Sequence, residues 1–237
     1  LSKLIRYLSV VKKYYLGIFL NMKPFIIAVA GGTSSGKSTV AEYIRIALGS
    51  DKVSVMFLDS YYLDFAHLSL EERKKINFDH PDVLNWDLIQ KTLKALMIGQ
   101  DIHMPVYDYS NYTASNDSIL VKSTKVIVIE GIFALLDDSP IYEFLDLKIY
   151  VDTAPDIRLA RKLERDIKHR RRTVQEVLTQ YLGIVRVMHQ QFISPTKRNA
   201  HIIIPHGANT AALEMIIARI NAAINHDDLL GDLQVQG

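Results

Sequence analysis

The chain alternates short apolar runs with stretches whose apolar residues recur every three or four positions. Runs at Phe25–Ala30 (FIIAVA), 53–58, Val126–Glu130 (VIVIE), 147–151 and 201–205 predict strands. Their unbroken apolar character suits strands buried on both faces, as in a parallel sheet covered by helices. Helical spacing predicts helices at 38–48, 70–75, 87–99, 155–168, 174–192 and 211–225, with Asp87 as an N-cap and Gly99 as a C-terminal stop. One region departs from this alternation. Segments 102–107 and 118–122 flank the polar stretch DYSNYTASND, which predicts a β-hairpin with a long loop standing apart from the main sheet. The expected fold is one doubly wound, mostly parallel α/β domain over residues 23–225, followed by a frayed tail at 226–237. There is no internal repeat and no low-complexity linker.

Residues 1–22 differ from the rest and are read as an N-terminal extension. Their longest uncharged stretch, 14–22, is too short to span a bilayer. Basic residues interrupt the apolar ones and no small-residue cleavage site follows, which argues against a secretory signal. Met22 stands three residues before the first predicted strand, so residues 1–21 are expected to be dispensable or to lie upstream of the true start. The alternative is an amphipathic helix on a membrane surface.

Composition narrows the function classes. A chain of 237 residues with 49% hydrophobic and 23% charged content can bury a sizeable core. A net charge of +2 leaves no general nucleic-acid footprint. The absence of cysteine excludes disulfides and thiolate metal sites and fits a reducing cytoplasm. The eight histidines form no metal-ligand pattern, and no Ser/His/Asp nucleophile arrangement is visible.

The chemistry concentrates where the first strand ends. The loop after it fits GxxxxGK(S/T), with Gly31, Gly36, Lys37 and Ser38 in register, and a helical pattern through Val40, Ile44 and Leu48 follows. Strand, glycine-rich loop and helix are the context a phosphate-binding P-loop requires. In such a loop, backbone N–H groups over Gly31, Gly32, Thr33, Ser34, Ser35, Gly36, Lys37, Ser38 and Thr39 curl around phosphate oxygens. Lys37 would reach the β- and γ-phosphates and Ser38 would hold Mg²⁺.

Other candidates stand at strand ends. Asp59, at the end of the second strand, could take or orient a hydroxyl proton, or could be a turn aspartate. Glu130 closes an apolar strand before a glycine, a position from which an acid meets Mg²⁺. Basic residues crowd 158–172, including Arg161, Lys162, Arg165, Arg170 and Arg172. They predict either a solvated helix face or a lid that neutralises transferred phosphate. Tyr61, Tyr62, Phe78, Asp79, Tyr107 and Tyr112 could line a ring-binding pocket or could simply pack.

Taken together, these segments resemble the uridine–cytidine kinase family of P-loop kinases over residues 23–224. The stretch LDSYYLDFAHLSLEERKKINFDHPDVLNWD carries the resemblance most specifically, with MPVYDY, IEGIFAL, RDIKHRRRTVQEVLTQY and SPTKRNAHIIIPHGAN in the same order. The resemblance implies a P-loop NTPase fold with a helical lid. It also implies transfer of the γ-phosphoryl group of ATP, or of GTP, to the 5′-hydroxyl of a pyrimidine ribonucleoside with Mg²⁺. By position, Asp59 is then the catalytic base and Ser38 and Glu130 serve the metal. Tyr62, Phe78 and Tyr107 surround the base, Asp79 holds the ribose, and Arg165 and Arg170 face phosphates. Arg172 and Gln180 lie near the nucleoside, and 205–209 near adenine. The family is typically a cytoplasmic homotetramer in pyrimidine salvage, with no nucleic-acid or membrane partner.

Three departures from the family pattern bear on function. Tyr112 stands where most members have histidine, and Ala114 where they have arginine; the resemblance then implies a preference for cytidine over uridine. Lys162 replaces an arginine near the ribose, which keeps the charge but loses the planar fork of donors. His206 replaces an arginine beside the adenine-side glycine. Two rivals remain open: a kinase of a sugar phosphate such as ribulose 5-phosphate, and a nucleotide-binding regulator without turnover.

Overall fold

The computed structural model describes residues 23–234, with side chains to Ile224, so the expectations for residues 1–22 lie outside the described residues. In chain order the strands are β1 (Phe25–Ala30), β2 (Val53–Phe57), β3 (Ile102–Asp108), β4 (Thr113–Val121), β5 (Val126–Glu130), β6 (Leu147–Asp152) and β7 (Ile202–Pro205). The helices are α1 (Lys37–Leu48), α2 (Leu70–Arg73), α3 (Trp86–Met97), α4 (Pro155–Arg170), α5 (Val174–Gln180), α6 (Arg186–Met188) and α7 (Thr210–Gln234).

Five strands make one parallel sheet in the order β2-β5-β1-β6-β7. The register sets Val29 and Phe57 on either side of Glu130, so β1, β2 and β5 end together at one edge. Strand order reverses about β1, and a crevice beyond the carboxyl ends at such a switch point is where an open α/β sheet takes its ligand. The central strands β1 and β5 bury both faces. Along β1, Ile26, Ala28 and Ala30 pack with Ile89, Leu93 and Leu96 of α3, while Ile27 and Val29 meet Val40 and Ile44 of α1 and Ile216 and Ile220 of α7. This explains the continuous apolar runs in the sequence.

Four local readings are corrected. Asn85, not Asp87, caps α3: its side chain accepts from Leu88 N–H at 3.0 Å, and Asp87 sits in the first turn. The hairpin loop is short, because β4 begins at Thr113 and takes up half of the polar stretch. The helix predicted at 174–192 is interrupted: α5 widens into π-helical turns at Tyr181–Val185 and His189–Ile193 around α6. Finally, the backbone of α7 runs through the expected tail to Gln234. The β3–β4 pair forms its own two-stranded sheet, separate from the five-stranded one.

Candidate active site

The P-loop leaves β1 under tight steric control. Gly31 has φ +144°, and a Cβ there would lie 2.5 Å from the Val151 carbonyl oxygen; one on Gly32 would lie 2.3 Å from Arg158 Nη1. Only glycine lets the backbone pass so close to β6 and α4. The Ser35 carbonyl accepts from Thr153 Oγ1 at 2.8 Å, fixing the loop from behind. Gly31, Gly32 and Ser35 therefore stand behind the wall, whereas Thr33, Ser34, Gly36, Lys37, Ser38 and Thr39 line a cavity of about 580 Å³.

At the phosphate end of this cavity, Ser38 Oγ donates to Glu130 Oε2 at 3.2 Å, and Lys37 Nζ lies 3.6 Å from Glu130 Oε1. Burial raises the Glu130 carboxyl above its ordinary range, Lys37 opposes this, and Asp59 adds to it. Among the described residues no group of three or more His, Cys, Asp or Glu side chains could hold a metal alone. The donors present suit Mg²⁺ all the same: a hydroxyl and one carboxylate, both hard oxygens, leave the remaining positions to phosphate and water.

A second wall of the cavity is built by a segment that folds back on itself. Leu63 N–H donates to Val83 C=O and Asn85 N–H to Tyr61 C=O, each at 2.8 Å. Asp59, in the turn Leu58–Tyr61 directly after β2, is thereby brought to the cavity with Tyr62, Phe78 and Asp79. Thr113 Oγ1 donates to Asp64 Oδ1 at 2.8 Å and Arg73 Nη1 to the Asn111 carbonyl at 2.6 Å, which tie the hairpin onto this segment. Tyr62, Phe78 and Tyr107 meet edge to face, with ring centroids 5.1–5.9 Å apart. Tyr112 lies tilted against Phe78 at 5.6 Å. These contacts make a packed aromatic cluster whose rings line the cavity. Asp79 is pushed up to about 6 by burial, against the pull of Lys162 and with a push from Asp59.

The third wall is basic. Lys162 and Arg165 of α4, with Arg170 and Arg172 at its end, line the cavity beside Gln180 of α5. Arg170 lies over the Tyr109 ring at 4.9 Å from its centroid. Pro155 opens α4 where no N–H is needed, and a reciprocal Thr173–Glu176 capping box opens α5.

The structure thus gathers the proposed site residues around one cavity, except the three loop residues behind its wall and Tyr61, which is 1% exposed and packs in the core beneath it. His206 and Ala208, in the stretch placed near adenine, also reach it. Tyr109 and Ile132 line it too, although the sequence reading gave them no place in the site, and so does Arg161, read there only as one of the basic residues of a lid or a solvated face. Two of them had a signal. Tyr109 follows Tyr107 by two residues and so shares its face of the hairpin. Arg161 lies three and four positions from Arg158 and Arg165, on one side of α4. Ile132 had none.

Comparisons agree with this geometry. The chain is 45% identical to the uridine kinase of Halalkalibacterium halodurans over 212 residues, covering 89% of this chain and 100% of the relative. It is 42% identical to that of Clostridium novyi over 207 residues, covering 87% and 99%. Two solved structures share the fold alone. Phosphoribulokinase from Rhodobacter spheroides has a TM-score of 0.59 at 16% identity, covering 78% of this chain and 70% of that one. D-glycerate 3-kinase from Cryptococcus neoformans has a TM-score of 0.51 at 14%, covering 73% and 78%. The family model described as "Phosphoribulokinase / Uridine kinase family" matches residues 26–212. A strand-end carboxylate against a P-loop lysine, the 2-5-1-6-7 parallel sheet and these matches together make the chain a member of the phosphoribulokinase / uridine kinase family.

Proposed function

We propose that this protein is an ATP-dependent kinase that phosphorylates the 5′-hydroxyl of a pyrimidine ribonucleoside, uridine or cytidine, with cytidine favoured. One observation carries the reading: a single cavity joins a P-loop end, where Lys37, Ser38 and Glu130 meet, to a cluster of Tyr62, Phe78, Tyr107 and Tyr112. A planar base packs against aromatic rings, whereas a sugar phosphate would call for a basic pocket in the same place.

Roles follow from position. Lys37 and the loop N–H groups bind the donor phosphates, and Arg165 and Arg170 offset the charge that spreads over the transferred group. Asp59 orients the acceptor hydroxyl and takes its proton, while Asp79 accepts from ribose hydroxyls. Lys162, Arg172 and Gln180 complete the nucleoside side, and His206 and Ala208 flank the adenine. Ser38 and Glu130 hold Mg²⁺, which screens the phosphates when bound. In the family setting the enzyme works as a cytoplasmic homotetramer in pyrimidine salvage, accepting GTP as a second donor.

A coupled ADP-release assay with Mg·ATP, run in parallel on cytidine, uridine and ribulose 5-phosphate, tests the proposal. Turnover on either nucleoside is expected. Turnover on ribulose 5-phosphate alone would replace it with the sugar-phosphate reading, and no turnover by protein that binds ATP would leave a nucleotide-binding regulator.

A further inference from the structure

Asp166, on α4, is fully buried, and four cations close on its two carboxylate oxygens. Lys162 Nζ lies 2.7 Å from Oδ2 and Arg165 Nη2 lies 2.8 Å from Oδ1. Arg170 Nη1 at 3.7 Å and Arg172 Nη1 at 3.9 Å complete the set. All four cations line the cavity, but Asp166 does not reach it. Burial works against the charged carboxylate, yet Lys162 and the arginines hold its pKa below the ordinary value. A buried charge with one partner cannot afford to lose it; with four partners, two can leave.

The four are not equivalent. The side chains of Arg165 and Arg170 are 36% and 29% exposed, against 5% for Lys162 and 16% for Arg172. Arg172 is further committed to Tyr112 and Gln180, at 2.7 Å each. Lys162 is held by Asp166 and also feels the charge of Asp79. The mobile pair is therefore Arg165 and Arg170.

We infer that Asp166 is a positioning residue that holds the cavity's cations where phosphate will be, and that a bound triphosphate draws Arg165 and Arg170 off it while Lys162 and Arg172 stay. This rests on the reading of the cavity as a nucleoside triphosphate site. Each arginine exchanges one anion for another, so the lid is organised before substrate arrives and no unpaired charge is buried at any stage. The cost is competition: Asp166 weakens the grip of the same arginines on phosphate.

That competition gives the test its sign. Calorimetric titration with inorganic pyrophosphate and Mg²⁺ should show Asp166→Asn binding about fivefold more tightly than the unaltered protein, because one fewer anion contends for the guanidinium groups. Asp166→Glu should return the affinity toward the unaltered value. A merely structural role predicts the opposite, and unchanged or weaker binding by Asp166→Asn would overturn the inference. The probe contains no nucleoside, so failure of the unaltered protein to phosphorylate nucleosides would sink the kinase reading while leaving this measurement intact. Should Asp166→Asn not fold, crystals of the unaltered protein grown with pyrophosphate decide. Arg165 moved from Asp166 onto the anion supports the exchange, and Arg165 still bound to Asp166 refutes it.

Discussion

The Tyr112 hydroxyl accepts a hydrogen bond from Arg172 Nη2 at 2.7 Å, while Nη1 of the same guanidinium donates to Gln180 Oε1 at 2.7 Å. Arginine has no acceptor, so the phenol must turn its own proton away from Arg172. In the proposed nucleoside complex it then meets the base as a donor. Cytosine N3 can accept that proton, whereas uracil presents N3–H in the same place, donor against donor. Tyr112→Phe should lower kcat/KM for cytidine by roughly tenfold, the worth of about 1.4 kcal/mol for one buried hydrogen bond. Uridine should change little, so the ratio of the two shrinks. Equal losses on both substrates would show that Tyr112 serves packing and not selection.

Asp59 stands two residues past the end of β2 and lines the cavity shared by the aromatic residues and the P-loop. Asp59→Asn keeps the shape and removes the proton acceptor. A fall in kcat of about 10²–10⁴-fold is expected, with ATP binding retained. A kcat within a few-fold of the unaltered enzyme would assign the base elsewhere.

Asp79 gives a pH signature. Its carboxyl sits at about 6 in the folded protein, against an ordinary 3.8, because of burial. Between those two values the folded state holds a proton that the unfolded state has lost. Stability from this group is therefore fully present at low pH and is lost as pH rises through about 6. Asp79→Asn should raise the melting temperature at pH 7.5, with the gain vanishing as pH approaches 4. Binding runs the other way on the proposed role of Asp79 as an acceptor for ribose hydroxyls: KM for the nucleoside should climb as pH falls below about 6. Melting curves and a KM–pH profile check both halves.

Arg171 takes φ +54° where α4 ends, a left-handed conformation unfavourable for a residue with a Cβ. Unlike its neighbours Arg170 and Arg172, it does not line the cavity. Arg171→Gly should relieve the strain, offset in part by the entropy of the unfolded chain, for a net gain of about 0.5 kcal/mol. Activity should be unchanged. Denaturant unfolding measures the first and the ADP-release assay the second.

What the sequence disclosed followed from burial. β1 and β5 were readable because both faces are covered, so every residue in them except the terminal Glu130 is apolar. The first half of β4 was not, because Thr113 to Ser118 have no buried face: the strand exists through its pairing with β3, which leaves no mark in hydropathy. The π-helical turns after α5 were equally silent, since one extra residue per turn barely disturbs helical spacing. In the site, Lys37, Ser38, Asp59 and Glu130 could be found from motif and strand end. The aromatic residues could not be promoted from packing to pocket on spacing alone. Tyr62 and Phe78 come from one fold-back segment and Tyr107 and Tyr112 from another, and only tertiary structure brings them face to face.

The separateness of the β3–β4 sheet has a consequence for how such an enzyme can change. The parts that hold the donor are anchored in the parallel sheet, where a shifted residue disturbs two packed faces at once. Tyr107, Tyr109 and Tyr112 ride instead on a ribbon whose outer positions are largely solvent-facing. New acceptors can be explored there by substitution, or by exchange of Ile102–Val121 as a cassette, with the machinery that handles the triphosphate left in place.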